Sequence, residues 1–364
     1  MLAVKTGSMN RTPKIKDVAR LAGVSTATVS RTLNDVDRVS AETKDSVLRA
    51  AKEVGYRINH SARSLRLQQT GAVAVLIPNV GNPFFSNILA GIESVMTKSR
   101  INVLILDTQN TTSRQSYTTD YLTSQRADGI ICLDGQLRPD AEAGPGNMMN
   151  LPVVFACEWP DSADCNVVRS DNAHGATLAV NHLVSLGHRN IGHLEGPNEN
   201  VLTTVRRKAT IDALKTSKLP VIDEWFFSGD FGLESGVLAA KQWLALENRP
   251  TALFCASDLM AIGVMAELSR NGVSVPGELS VMGFDDIDIA RYYSPALTTI
   301  HQRTRVLGET AAEVLLDRLH GRECEENINI VDVELVCRAS TARWGNSDVV
   351  ESLHTQTNGI SVFS

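Results

Sequence analysis

A small all-α head followed by an α/β core of two doubly wound parallel-sheet lobes is the architecture implied by this chain of 364 residues, 43% of them hydrophobic. Two short helical periods meet at a glycine between Ile15 and Asn34. From Gly71 onward, short apolar runs alternate with amphipathic stretches at helical spacing. Charge divides at the same place. Residues 1–69 hold thirteen Lys or Arg against six carboxylates, a balance of +7, which leaves −13 on residues 70–364 of a chain whose net charge is −6. At roughly 150 residues per domain, the length predicts two to three domains.

Val18, Ala19 and Ala22 recur at helical spacing, Gly23 supplies a tight turn, and Ser25 offers a cap before a second stripe at Val29 and Leu33. Between the second-stripe positions lie Thr26, Ala27, Thr28, Ser30 and Arg31, short or hydrogen-bonding groups suited to the floor of a DNA major groove. An ordinary αα-hairpin would show the same spacing. The basic head on an acidic body favours phosphate contact, because a chain that neutralises phosphates releases their counterions while the acidic remainder is repelled. Ser40 is expected to cap a third helix through Val54, with Val47, Leu48, Ala51 and Val54 on one face and Gly55 at its end. Residues 57–70 follow as a polar, basic connector with too few apolar groups to hold a helix alone. Within it Leu65, flanked by arginines that include Arg63, has the form of a minor-groove wedge or of a leucine resting on the next domain.

The body reads as βαβ alternation. Strands are expected at Ala72–Ile77, Val103–Asp107, Gly129–Leu133 and Pro152–Phe155, with helices at about 83–99 and 113–126 between them. A second set covers Val167–Ser170, Ile191–Glu195, Trp225–Phe227, Ala252–Ala256 and Val281–Phe284, with helices near 173–186, 201–216, 233–246 and 258–271. Asn82-Pro83 and Ser257-Asp258 are helix-start signals. Thr298–His301, a helix over 306–320 and a strand over Val331–Val336 close the pattern, with a return of the chain to the first lobe. Ligands of such sheets sit beyond the carboxyl ends of the strands. That places Asn79–Phe85, Asp134, Cys157 to Trp159, Glu195–Asn200, Asp230-Phe231, Ser257-Asp258 and Asp285-Asp286 around a shared cleft, a mixture of aromatics, carboxylates and amides suited to a polyhydroxylated ligand with an apolar face.

Several functions find no support. Neither a GxGxxG nor a Walker sequence follows a strand, and no GxSxG, HExxH or paired catalytic constellation is present, so no catalytic residue, no cofactor and no enzyme activity is expected. The six cysteines, Cys132, Cys157, Cys165, Cys255, Cys324 and Cys337, form no CxxC or Cys/His cluster, so no metal site or disulfide framework is expected. The first residues lack an apolar signal core and no run approaches the roughly 18 apolar residues of a membrane span, which predicts a soluble, cytoplasmic chain without a membrane partner.

Taken together, Ile15–Asn34, Val54-Gly55-Tyr56, Ala62 to Leu65, Asn82 to Phe85, Asp128-Gly129, Leu186 to Arg189, Ser257 to Ala261, Val281 to Asp285 and Pro295 to Ile300 resemble the LacI/GalR transcription regulators, co-linearly from about Lys14 to Arg343. Within that family the chain is most similar to the cytidine- and purine-responsive branches, and it shares Ser25 to Arg31, and Phe254-Cys255 before Ser257-Asp258, with the cytidine-responsive one. The resemblance implies a periplasmic-binding-protein-like core and a homodimer that reads a palindromic operator, with a small-molecule effector, a nucleoside or sugar, held between the lobes. It implies a flexible N-terminus at 1–13, a DNA-binding domain at 14–59, a hinge helix at 60–70, and an effector-binding and dimerisation domain at 71–344. The first lobe is then about 71–166 with 301–330, the second about 167–300 with 331–344, and 345–364 a flexible tail.

By the same resemblance Thr26, Ala27 and Arg31 read bases, Thr28, Ser30, Asn34 and Arg63 complete the DNA surface, and Leu65 is the hinge leucine wedged into the central minor-groove step. For the effector it implies Arg206, Asp285, Phe231 and Gln302, with Phe84 and Phe85 as an aromatic pair and Glu158 and Ser257 at positions where the pattern departs from ribose-type members. His188 is expected to be structural. Two rival readings stay open: a small-molecule-binding module or enzyme with an incidental head, and a regulator controlled by a protein corepressor.

Overall fold

The computed structural model describes residues 13–33, 39–56, 69–109, 126–135, 152–160, 165–322 and 327–345. The chain divides into two compact units between Thr70 and Gly71.

In the first unit α1 (Ile15–Ala22), α2 (Thr26–Leu33) and α3 (Ala41–Glu53) surround a core of Val18, Ala19, Val29, Val47, Ala50 and Ala51. Asp17 Oδ2 accepts from the Lys14 N–H at 2.9 Å at the start of α1. Gly23 ends that helix at φ 68°, a left-handed conformation that costs a residue with a Cβ. Ser25 Oγ accepts from Thr28 N at 3.0 Å and Ser40 Oγ from Thr43 N at 3.4 Å, the caps expected of α2 and α3. Leu48 departs from expectation. Buried Val47, Ala50 and Ala51 keep the i, i+3, i+4 spacing, so Leu48 is turned outward and is 47% exposed.

The second unit contains a six-stranded parallel sheet in the order β11-β5-β4-β3-β1-β2, built from β1 (Ala72–Ile77), β2 (Asn102–Asp107), β3 (Gly129–Cys132), β4 (Val153–Ala156), β5 (Asn166–Ser170) and β11 (Ile328–Val331). A four-stranded parallel sheet runs β7-β6-β8-β9, from β6 (Ile191–Leu194), β7 (Phe226–Phe227), β8 (Ala252–Cys255) and β9 (Ser280–Met282). A two-stranded antiparallel ladder joins β10 (Thr299–Gln302) to β12 (Val333–Val336).

Helices follow the strands as βαβ logic requires: α4 (Phe84–Lys98), α5 (Asn172–Ser185), α6 (Val201–Thr216), α7 (Leu233–Ala245), α8 (Asp258–Arg270) and α9 (Thr304–Leu319). On the first sheet Val73, Val75 and Ile77 pack with Ile88 and Ile92 of α4 and Leu307 and Ala311 of α9. The opposite face holds Ala74, Leu76, Ile130 and Phe155. The helix expected over 113–126 falls outside the described residues except for Arg126. The second sheet is covered on both faces: Leu253, Cys255 and Val281 pack with α7 and α8, while Ile191, Phe254 and Met282 pack with α5 and α6.

Two elements differ from the sequence reading. Strand β5, read as the start of the second lobe, pairs with β4 and β11 in the first sheet, so the chain crosses after Ser170 rather than after 166. The single strand expected over Val331–Val336 is two strands in different sheets, parted at Asp332.

Candidate functional site

On α2, Thr26, Ala27 and Arg31 are exposed, whereas Val29 and Thr32 are buried. Thr28 and Ser30 are half-buried, and the Thr28 hydroxyl lies 2.9 Å from Ser25 Oγ, so it serves the start of the helix as well as its surface. Asn34, Arg63 and Leu65 lie outside the described residues.

In the second unit, the carboxyl ends of both parallel sheets open on one cleft. It contains an inner cavity of about 40 Å³ and an adjoining one of about 460 Å³, with Asn82, Phe85, Glu158 and Phe231 in the walls of both. The inner space is of the size of one or two waters, the outer that of a small-molecule site. Phe84, Phe85, Glu158, Arg206, Phe231, Ser257 and Asp285 line the inner cavity. Gln302 stands one layer behind, where its Nε2 donates to Asp285 Oδ1 at 2.7 Å.

Each of these side chains is held by its element. Asn82 Oδ1 accepts from Phe84 N at 3.0 Å and starts α4, with Phe84 and Phe85 edge to face at 5.2 Å. Ser257 Oγ accepts from Met260 N at 3.2 Å at the start of α8 and donates to the Phe231 carbonyl at 3.2 Å. Cys157, Phe231, Asp285 and Asp286 all have positive φ, at 68°, 66°, 126° and 58°. Such a cluster of left-handed, non-glycine residues around one space is backbone strain held by its surroundings, a frequent property of binding sites. Gly196 makes room for Phe231: a Cβ there would lie 2.2 Å from the ring.

Arg206 is buried and projects from α6. Its Nε and Nη2 donate to Asn172 Oδ1 at 3.0 and 2.8 Å, its Nη1 donates to the Ala256 carbonyl, and its guanidinium lies 3.8 Å from the Phe284 ring centroid. Arg206 and Asp285, both implied for the effector by the resemblance, line the inner cavity together. No ion pair joins them among the described residues; Asn172 is the bidentate partner. Asn172, just beyond the carboxyl end of β5, is not among the cleft positions read from the sequence. Asn200, placed at the cleft by the sequence but given no role there, caps α6 by accepting from Leu202 N at 2.8 Å and also supports Glu158.

Burial governs the electrostatics. It pushes Asp285 up to about 7 against the pull of Arg206, and lowers Arg206 to about 10. Burial likewise raises Glu158 above the usual carboxylate range, although Asn200 and the Gly135 N–H at 3.1 Å oppose it. Asp258 behind the wall is raised well above that range by burial and by Asp285, despite bonds from Thr299 Oγ1 and the Ile287 N–H. The Cys157 thiol is kept neutral by burial.

Between about 3.9, the unfolded value of an aspartate, and about 7, the folded chain binds a proton at Asp285 that the unfolded chain has released. Its contribution to stability therefore falls as pH rises through that window. Burial holds His193 neutral down to about 4, and that group works in the opposite direction, costing stability as pH falls below about 6.5. The two are separated by variant. The stability of the wild type minus that of Asp285→Asn, measured by urea denaturation across pH, is expected to decline from acid towards neutral; a flat or rising difference would refute the assignment.

A helix-turn-helix head and a two-lobed cleft define a ligand-responsive, DNA-binding regulator. Residues 14–59 match the profile of bacterial regulatory proteins of the lacI family, and residues 180–341 that of a periplasmic binding protein-like domain. The chain belongs to the lacI family and is a transcriptional regulator. It is 37% identical over 328 residues to the HTH-type transcriptional repressor CytR of Escherichia coli, covering 90% of this chain and 96% of the relative. With the HTH-type transcriptional repressor PurR of Vibrio parahaemolyticus it shares 35% identity over 324 residues, covering 89% and 97%. The crystal structure of the Lac repressor dimer bound to operator and the anti-inducer ONPF superposes with a TM-score of 0.81 at 31% identity, covering 91% of this chain and 100% of that one.

Proposed function

We propose that the protein is a homodimeric transcriptional repressor whose affinity for a palindromic operator is switched by a nucleoside or sugar bound between the lobes. The observation that carries this reading is the convergence of Phe84, Phe85, Glu158, Arg206, Phe231, Ser257 and Asp285 on one cavity at the carboxyl ends of two parallel sheets. Curated relatives named as repressors, and a related structure of a dimer on operator, support the DNA half. They speak for regulation rather than catalysis. Action on DNA in the cytoplasm is part of this reading; no helix among the described residues is long and apolar enough to cross a membrane.

The assignments of 14–59 as the DNA-binding domain, 60–70 as the hinge and 71–344 as the effector and dimer domain belong to this proposal. So do the base-reading roles of Thr26, Ala27 and Arg31, the supporting roles of Thr28, Ser30, Asn34 and Arg63, the hinge role of Leu65 and the second-layer role of Gln302. Two lobes around a cleft supply two states, and the ligand acts by its difference in affinity for them. Gel shifts with a palindromic operator, with and without added nucleosides and sugars, test the reading. Operator affinity that never changes with any of them would leave the switch without support.

Within this scheme Arg31→Ala is expected to weaken operator binding by about 1–3 kcal/mol per half-site and to relax base preference at one position. A uniform loss across all base substitutions would make Arg31 a phosphate contact instead. Leu65→Ala is expected to weaken operator binding and leave ligand affinity, measured by calorimetry, unchanged; equal losses of both would remove the hinge role.

A further inference from the structure

The ionisable groups in the walls of the two cavities are unequal in sign. Asp134, Glu158, Asp230 and Asp285 bring carboxyl groups, and Arg206 is the one cation among the described lining residues. That guanidinium is already engaged by the Asn172 side chain and the Ala256 carbonyl. Asp258, buried behind Asp285, adds a further carboxyl group.

Helix N-termini attract anions, and the starts of α4, α6, α7 and α8 all reach this space. Their caps change that balance. Asn82, Asn200 and Ser257 already accept from Phe84 N, Leu202 N and Met260 N, one first-turn N–H group in each of those helices, and at α7, whose cap Gly232 has no side chain, Asp230 Oδ1 accepts from Gly232 N and Glu234 stands in the first turn. An anionic ligand would meet carboxyl groups with few compensating donors. Each close pair of like charges weakens binding by something on the order of ten- to a hundredfold at protein-like dielectric. An N–H donor meets the opposite situation. Glu158 and Asp285 line the inner cavity with carboxyl oxygens that accept from such donors. Phe84, Phe85 and Phe231 supply an apolar face for a planar ring.

We propose that the cleft selects an uncharged or cationic ligand bearing N–H donors beside an apolar face, and rejects the phosphorylated form of the same ligand. This rests on reading the cleft as the effector site.

Calorimetry on the full chain tests it with adenosine and cytidine, each against its monophosphate, and with glucosamine against glucosamine phosphate. At least one unphosphorylated probe is expected to bind at least about tenfold more tightly than its phosphorylated partner. Glu158→Gln, which keeps the shape and removes the charge, is expected to narrow that ratio. Equal or tighter binding of the phosphorylated member overturns the proposal, as does silence from every probe or a ratio unchanged in Glu158→Gln. Phe231→Leu separates the two failures. If it weakens both members of a pair while the phosphorylated one is preferred, charge selection falls and the cleft stands. If a probe binds and Phe231→Leu leaves its affinity untouched, the cleft reading itself falls.

Discussion

Replacing Arg206 with methionine is expected to abolish the response to ligand and to destabilise the second unit by on the order of 3 kcal/mol. Methionine keeps much of the aliphatic stem and removes every donor. Asn172 Oδ1 then loses both of its guanidinium bonds and the Ala256 carbonyl its donor, all in buried surroundings. A buried acceptor left without a partner costs about 1–3 kcal/mol, which outweighs the desolvation relieved by removing one charge from beside several carboxyl groups. The lost cation also stood over the Phe284 ring and opposed the upward pKa shifts of Asp285 and Glu158, which its removal increases. Lysine is not a conservative replacement, because a single ammonium cannot reach Asn172 and Ala256 with the geometry of a planar fork. The buried Trp225 and Trp243 report the second lobe, so tryptophan fluorescence in urea measures the loss. An unchanged midpoint together with unchanged ligand affinity would remove Arg206 from the centre of the site.

Much of the cleft was legible because strand ends can be read locally. Asn79 to Phe85, Glu158, Phe231 and Asp285 each follow an apolar run, and the general rule for open α/β sheets puts such positions at the ligand. What local pattern does not contain is which strands pair. Val167–Ser170 has the same apolar character whether it borders β4 or β6, so its pairing with β4 and β11 is not legible locally, and nothing in the residue types marks Asn172 beyond it as the side chain that holds Arg206. Val331 to Val336 reads as one apolar run, and only pairing partners reveal that the chain changes sheets at Asp332. The positive φ of Cys157, Phe231 and Asp285, which line the inner cavity, is equally invisible, since their residue types do not announce it. In the head, helical spacing identified Val18, Val29 and Val47 as core, yet one step of about 100° was enough to misplace Leu48.

Close helix contacts were also hidden in the sequence, and they yield the second large effect. Gly308→Ala is expected to destabilise the second unit by about 2–3 kcal/mol, even though alanine is the better helix former by roughly 1 kcal/mol. A Cβ on Gly308 of α9 would sit 2.1 Å from the Ile88 carbonyl oxygen of α4, and one on Gly91 of α4 would sit 2.3 Å from the Arg305 carbonyl oxygen of α9. Each helix thus rests on the backbone of the other. No rotamer change relieves a clash with a carbonyl, so the pair must separate and loosen the packing of Ile88, Ile92, Leu307 and Ala311. The same contact recurs on the other sheet, where a Cβ on Gly236 of α7 would lie 2.1 Å from the Met260 oxygen and one on Gly263 of α8 2.1 Å from the Leu233 oxygen. Both lobes therefore have a helix pair locked backbone to backbone, which resists bending within a lobe and leaves the cleft between them as the place where a ligand-driven change can occur. Urea midpoints of Gly308→Ala and Gly263→Ala test this against Lys98→Ala at the exposed end of α4. Losses no larger than that of the surface control would mean that the helix pairs yield, and that flexing inside a lobe is available to the switch.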